Sequence, residues 1–340
     1  MLKKTILIFF SIVLIVAGFA AYKLYSYIFT ANVNYSESFV IPENATLEQV
    51  IDSMANKKIL INEDAFRWVA KIKKYEEHIK HGKYHIEKGM NTNAIVNKLI
   101  SGNQEAVKVT FNNVRFIDQF AGKVSKYFIT DSLTMLNHLE DTEVIKKYGF
   151  NEHTFQAMFI PNTYEMYWTT TPEKFTDRMK TEYDRFWNDE RKSKAETLGL
   201  TQVEVATLAS IVQEETIKND EKPIVAGLYL NRLRIGMLLQ ADPTIKFAIG
   251  DFTIRRVLDA YLEIDSPYNT YKYSGLPPGP INFPEISSLD AVLNSDKNNY
   301  LYMCAKEDFS GYHNFAKTLA EHNRNAQRYQ QALNRQRIWR

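Results

Sequence analysis

The sequence predicts an α+β protein carried on an N-terminal membrane helix, and three observations lead there. A charge-free apolar run, Thr5 to Tyr22, opens the chain behind Lys3 and Lys4. Between Phe39 and Val109, short strand-like stretches interleave with short amphipathic ones, as in a small mixed module. Farther on the pattern turns mostly helical, and its best-marked helices lie between Thr201 and Phe247. With 340 residues, 45% of them hydrophobic, the chain can build one large or two modest cores. The expected division is 1–30 as anchor with a short cytoplasmic N-terminus, 31–109 as the small module with its linker, 110–155 as a connecting segment and 156–340 as the main domain.

The anchor comes first. An uncharged run of roughly 18 residues is the short end of what crosses a bilayer. Lys23 interrupts it but can snorkel, and Leu24-Tyr25-Ser26-Tyr27-Ile28-Phe29 resumes the apolar character with tyrosines suited to an interface. A cleaved signal peptide is the rival, with Gly18-Phe19-Ala20 as a poor cleavage site, and no Cys follows the run as a lipoprotein requires. The two lysines favour a cytoplasmic N-terminus, and hence a single-pass protein of the cell (inner) membrane with an extracytoplasmic, periplasm-facing body. A net charge of +2 gives no footing for a nucleic-acid partner. The single cysteine, Cys304, excludes an internal disulfide and a cysteine metal site, and reads as a buried small hydrophobe.

In the small module, Phe39-Val40-Ile41-Pro42 is strand-like, Thr46 with Gln49 caps a helix through Met54, and Glu63 or Asp64 opens another through Lys71. His81–Ile86 alternates like a strand, and Asn93–Ile100 reads as a helix ending before Gly102. His81 and His85 have metal-ligand spacing only on a helix, which Gly82 and the alternation argue against. Residues 31–38 read as a short polar linker. Helices are expected near Ile117–Tyr127 and Leu133–His138, and over Pro172–Asp189. Phe159–Tyr164 is an apolar run closed by turn chemistry; the nearby Tyr164, Tyr167 and Trp168 either line a groove or belong to the core.

The chemistry concentrates between Thr201 and Phe247. Thr201 and Glu204 form a capping box, after which Val205, Leu208, Ile211 and Val212 fall on one helical face. At about 100° per residue Glu215 lands inside that apolar stripe, whereas Glu214 lands roughly opposite Val205, on the solvent side. Desolvation raises the pKa of a carboxylate on the apolar side toward the range of a general acid. The bland alternative makes Glu215 the last polar residue as the helix leaves the core. A second helix, capped by Asn219 or Asp220 with Pro223 in its first turn, ends near Gly236 and carries Asn231, Arg232 and Arg234 toward its end. These arginines read as solvated residues near a helix C-terminus more readily than as ligand clamps. Beyond Leu239-Gln240-Ala241-Asp242-Pro243-Thr244, a Pro- and Gly-rich stretch includes Ser266–Tyr271 and Gly275–Pro280; it is either a binding wall or a connector. Tyr300–Ala305 reads as a strand, His313-Asn314-Phe315 follows a turn at Gly311, and a polar helix runs over about Ala316–Arg335.

Taken together these motifs resemble the membrane-anchored endolytic murein transglycosylases, the MltG or YceG-like family. The resemblance covers nearly the whole chain. It rests on Ala209–Thr216, Leu230-Asn231-Arg232-Leu233, Leu239–Thr244, Ser266–Tyr271, Gly275–Ile281 and His313-Asn314-Phe315, in that order. The Phe39–Val109 module looks like the family's LysM-like subdomain, and the resemblance implies a lysozyme-like lytic transglycosylase domain after it. It implies endolytic cleavage of the β-1,4 bond between N-acetylmuramic acid and N-acetylglucosamine, leaving 1,6-anhydro ends and ending glycan elongation. One catalytic Glu is expected, and the Glu-Thr element places it at Glu215, in agreement with the periodicity. Gln240, Asp242, Asn269, Thr270 and Tyr271 are the candidates for holding the sugar, although Asp242 could equally cap the helix at Pro243. No cofactor and no metal are implied. The expected partners are glycan strands, the membrane and, among proteins, peptidoglycan synthases. Gln213 occupies a position often Glu in the family. Gln156, Ala157 and Asn162 stand where it usually has Glu-Gly and Asp, so the acidic groups of that motif are missing here. Two rivals remain: a muramidase-type hydrolase, which needs a second carboxylate such as Asp242, and a non-catalytic glycan-binding scaffold.

Overall fold

The computed structural model describes residues 2–254 and 257–336; Met1 at the start of the expected anchor, and 255–256 and 337–340 of the expected main domain, lie outside them. The chain divides into two compact units. One comprises the residues up to Val109 with Tyr127–Ile129 and Glu165–Thr170; the other holds the remainder.

The first unit begins with α1 (Leu2–Phe29), which is the one helix among the described residues long and apolar enough to cross a membrane, an 18-residue window within Lys4–Phe29 having a mean hydropathy of 2.5. Then come β1 (Glu37–Ile41), α2 (Leu47–Asn56), α3 (Glu63–Ile72), β2 (Gly82–Ile86) and α4 (Thr92–Ser101). β1 and β2 pair antiparallel, Glu37 opposite Ile86 and Ile41 opposite Gly82. Alternate residues of β2 turn inward, so Tyr84 and Ile86 join Phe39, Val50, Phe66, Val69 and Ile95 in one core. The Thr46–Gln49 capping box is formed, Asn62 and Asn91 cap α3 and α4, and Gly102 (φ 73°) ends α4 in the left-handed conformation that glycine tolerates best. His85 sits in the strand and hydrogen-bonds Ser38 (3.0 Å), not on a helix with His81.

The expected linker at 31–38 is stitched down. Ala31 bridges to Asn91 and Val33 to Leu60. The Asn32 side chain, 3% exposed, donates to the Asn62 carbonyl (2.9 Å) and Thr92 Oγ1 (3.1 Å). Its polar composition is spent on internal hydrogen bonds, which periodicity does not reveal.

β3 (Ala106–Phe111) and β4 (Asn162–Tyr167) pair in a second two-stranded sheet, and the division between units falls within both strands. Asn162 therefore opens a strand where a turn was expected. Tyr164 is buried and donates to the Ile160 carbonyl (2.5 Å), whereas Tyr167 is exposed.

The second unit is mainly helical: α5 (Ile117–Val124), α6 (Ser132–Glu140), α7 (Thr142–Lys147), α8 (Pro172–Phe186), α9 (Asp189–Leu198), α10 (Gln202–Glu215), α11 (Lys222–Arg234), α12 (Asp242–Ile249), α13 (Asp259–Leu262) and α14 (Ile286–Leu293). A hairpin of β5 (Tyr302–Ala305) and β6 (His313–Ala316) and a final α15 (Leu319–Arg335) complete it. The single helix expected over Pro172–Asp189 is two, because Trp187 is buried and Asn188 turns the chain to cap α9, accepting from the Arg191 amide (3.0 Å). Cys304 is half-buried on β5, less enclosed than expected.

α10 is the axis of this unit. Every residue from Val205 to Val212 is buried, so the helix is enclosed all round its middle, not along one stripe. α11 and α14 pack along it. Ser210 holds the loop before α14, its hydroxyl accepting from the Ile281 amide (3.0 Å) and its carbonyl from Asn282 Nδ2 (3.1 Å). Gln213 continues this, its Oε1 accepting from the Glu285 amide (2.7 Å) and Ser288 Oγ (3.1 Å).

Candidate active site

α10 ends at Glu215, with Thr216 already extended (φ −145°, ψ 136°). Glu215, Leu228, Tyr229, Arg232, Gln240, Asp242 and Met303 line a cavity of about 170 Å³. Glu215 is open to solvent only in part, and burial raises its carboxyl pKa to about 7 from an ordinary 4.5. Tyr229 opposes the shift by donating its hydroxyl to Glu215 Oε1 (2.7 Å); the Asp242 charge reinforces it, while His313 and Arg232 counteract it. Tyr229 is itself buried, and its own pKa is driven well up by that burial and by Glu215, so it stays a donor. One carboxylate oxygen is thus occupied by a fixed phenol.

Glu214 is not the solvated residue expected. It pairs with Arg115 (3.0 Å) and accepts from Asn282 Nδ2 (3.0 Å), and the Arg115 guanidinium lies over the Phe252 ring at 4.4 Å. The packing of the loop before α14 covers the face that helix periodicity assigns to water. Two neighbouring carboxylates therefore differ sharply: one ion-paired, the other held by a neutral donor.

α11 also departs from expectation. Neither Asn219 nor Asp220 caps it; Glu221 holds the N-cap position, and its side chain is used elsewhere. That carboxylate, 2% exposed, accepts from Thr216 Oγ1 (2.9 Å), from the His313 amide (2.7 Å) and meets His313 Nδ1 (2.8 Å). Glu221 ties the residue after Glu215 to the His-Asn-Phe motif on β6, and sequence reasoning missed it. Its only sequence signal was a carboxylate in the turn between two motif-bearing helices. Arg232, expected in solvent, is buried and donates to the carbonyls of Leu301 (2.6 Å) and Leu239 (2.7 Å); Asn231 is buried against Asn298 and Tyr300. The helix ends through Gly236 (φ 68°) as expected.

The structure separates the five predicted sugar-holding residues into two groups. Gln240 and Asp242 line the cavity with Glu215, and Tyr271 donates its hydroxyl to Asp242 Oδ1. Gln240 adopts φ 50°, a left-handed conformation unusual for a residue with a side chain. Asn269 and Thr270, by contrast, are fully buried scaffolding. Asn269 Nδ2 donates to the carbonyls of Leu262 (2.7 Å) and Ile264 (2.9 Å), and its Oδ1 accepts from the Tyr271 amide (3.0 Å). The Thr270 carbonyl accepts from the Gln240 amide (3.0 Å), and its hydroxyl accepts from the Ala241 amide (3.0 Å) and pairs with Thr244 (2.9 Å). These two residues fix Gln240 and Tyr271 in place and have no polar atom turned to a ligand. Asp242 is the first residue of α12 and makes no side-chain cap.

A carboxyl group poised near neutrality, with Asp242 in the same cavity, at the open end of a buried helix and beside a polar strap, defines an acid–base site centred on Glu215. The chain belongs to the YceG-like family, whose model matches residues 39–328. It is 31% identical over 315 residues to the endolytic murein transglycosylase of Bacillus subtilis strain 168, covering 88% of this chain and 85% of that one. It is 27% identical to the endolytic murein transglycosylase of Streptococcus pneumoniae serotype 2 strain D39, with 84% of this chain matched to 57% of that longer protein. A crystal structure of a yceG-like protein from Listeria monocytogenes superposes with a TM-score of 0.56 at 28% identity, covering 85% of this chain and 98% of that one.

Proposed function

We propose that this chain is an endolytic peptidoglycan lytic transglycosylase with Glu215 as its acid and then its base. The observation that carries the reading is the Glu215 carboxyl group with its pKa near 7, in a cavity it shares with Gln240 and Asp242. With such a pKa about half the molecules hold the proton at neutral pH. The protonated carboxyl donates to the glycosidic oxygen as the bond from the muramic C1 breaks, and the N-acetylglucosamine leaves with a free 4-hydroxyl. Positive charge develops at C1, where the acetamido group can assist. The muramic 6-hydroxyl then attacks C1 and returns its proton to the Glu215 carboxylate, closing the 1,6-anhydro ring. No water enters, and no second carboxylate is needed to activate one. Gln240, Asp242 and Tyr271 contact the sugar, and Asn269 and Thr270 position them.

In this reading α1 is a single-pass anchor in the cell membrane, with the body on the extracytoplasmic side and the chain acting on strands as synthases extend them. The strand–helix–helix–strand unit around Phe39–Ile86 serves as a LysM-like module within 31–109, 110–155 connects, and a lysozyme-like catalytic domain occupies 156–340.

The test is mass spectrometry of purified peptidoglycan treated with the full chain in detergent, wild type beside Glu215→Gln. New 1,6-anhydromuramyl ends from the wild type alone are expected. Reducing ends instead would identify a hydrolase and direct attention to Asp242. Equal anhydro product from the variant would overturn the Glu215 assignment, and no product from either would leave a glycan-binding scaffold.

A further inference from the structure

α11 separates two cavities. Leu228, Tyr229 and Arg232 face the Glu215 cavity, whereas Gly227, Leu230, Asn231 and Arg234, spaced i, i+3, i+4 and i+7, face a larger one of about 720 Å³. That size suits a ligand well beyond a single sugar. Its opposite wall is the segment after α14, which comes so close that a Cβ on Gly227 would overlap the Asp296 carbonyl oxygen. The wall is fixed. The Asp296 amide donates to the Pro223 carbonyl (3.0 Å), and Asn231 Nδ2 donates to the Asn298 carbonyl (3.0 Å).

The lining carries more positive than negative charge. Lys194 is paired with Glu190 (2.8 Å), but neither Arg234 nor Lys297 has a carboxylate within ion-pair reach among the described residues. Asp296 is the one carboxylate of the lining. Asn299 adds an exposed amide that can hydrogen-bond hydroxyl, acetamido and peptide groups alike, whereas the Asn294 amide is already used, accepting from Lys194 Nζ (2.8 Å) and donating to the Asp290 carbonyl (2.8 Å). Cations without a carboxylate partner, Arg234 donating only to Asn231 Oδ1 (3.1 Å), beside the exposed Asn299 amide recognise a ligand that combines carboxylates with amides.

We propose that this cavity is a second binding site, for the carboxylate-bearing muramyl-peptide part of a glycan strand, with Arg234 and Lys297 as the carboxylate contacts. This rests on the transglycosylase reading. The site grips the peptide side of the substrate, while the Glu215 cavity handles the sugar bond. A phosphate polymer would satisfy the cations but would leave the Asn299 amide without a matching group.

The experiment is calorimetric binding to the full chain in detergent, with an N-acetylmuramyl tripeptide and the same compound with its carboxylates amidated as probes. The expected result is that the Arg234→Gln/Lys297→Gln variant binds the carboxylate probe about 10-fold more weakly than the wild type does, the loss of one or two charge-assisted contacts. The amidated probe should bind both proteins equally weakly. Lys297→Glu alone serves as a second variant at an exposed position and should weaken the carboxylate probe in the same direction. Cleavage of peptide-stripped strands by the double variant should match the wild type. Equal affinity of all proteins for both probes, or no measurable binding by the wild type, would overturn the proposal. If the charge-dependent binding persists but the wild type makes no anhydro ends, the transglycosylase reading fails by itself. Anhydro ends with charge-independent binding sink only the second site.

Discussion

In the proposed mechanism Glu215 joins catalysis to stability, because the burial that holds its proton also makes ionising it costly. Its folded pKa of about 7 lies above the ordinary 4.5, so this group's contribution to stability is intact below pH 4.5 and is lost as pH rises through 7. Glu215→Gln abolishes that titration. The variant should therefore be more stable than the wild type at pH 8 by about 3 kcal/mol, a gap that closes toward pH 4.5; denaturant melts across this range measure it. Its transglycosylase rate should fall about 10²–10⁴-fold, the usual worth of a general acid. With Glu215 as the acid, its neighbours should set the pH at which activity declines. Tyr229→Phe removes a hydrogen bond that lowers the Glu215 pKa, and should move the alkaline limb of the pH–rate profile upward. Asp242→Asn removes a charge that raises it, and should move the limb downward; shifts in the same direction would contradict this electrostatic account. The withdrawal of Glu215 from water was legible in the sequence because an apolar stripe points at it. Asn269 and Thr270 show the limit: polar residues in a Pro- and Gly-rich stretch look like ligand contacts, yet their side chains bond backbone groups and, for Thr270, the Thr244 hydroxyl, partners that only folding brings near.

At the scale of elements, the site depends on how α10 ends and α11 begins. Glu221 fastens this junction to β6, and its removal leaves Thr216 and His313 without their acceptor inside the protein. Glu221→Ala should cost about 3–5 kcal/mol in chemical denaturation, with Glu221→Gln recovering part of the loss through its remaining oxygen. Leu208→Ala, in the enclosed middle of α10, should cost about 2–5 kcal/mol by opening a cavity. The start of α10 was legible from its capping box, because that signal is local. The enclosure of α10 was not, since the helix that covers its far side, α14, carries a short apolar run with no capping side chain to announce it. For the same reason Glu214 was assigned to water. Periodicity tells which face of a helix is apolar, but not whether a distant loop returns to cover the other one.

For the whole molecule, the apolar N-terminal segment and the alternation in the small module were readable because each is a pattern within a few residues. The join between them was not readable, since it depends on Ala31 pairing with Asn91 and Val33 with Leu60. Tyr27 also meets Trp68, with ring centroids 6.1 Å apart, so the end of α1 is part of the first unit's packing. Inserting about ten Gly/Ser residues after Phe29 would add an r.m.s. reach of about 17 Å. Under the membrane-anchored reading, this should change which glycan is cut in cells while leaving detergent-phase turnover unchanged, measured by comparing glycan length in cells with the rate on purified peptidoglycan.

Under the membrane-anchored reading, that stitched junction sets a standoff for the first unit. A protein on a slack leash can wander through the depth of a wall and cut where it pleases. Under the membrane-anchored reading, one whose first unit is tied directly to its post holds that unit at a set height above the membrane.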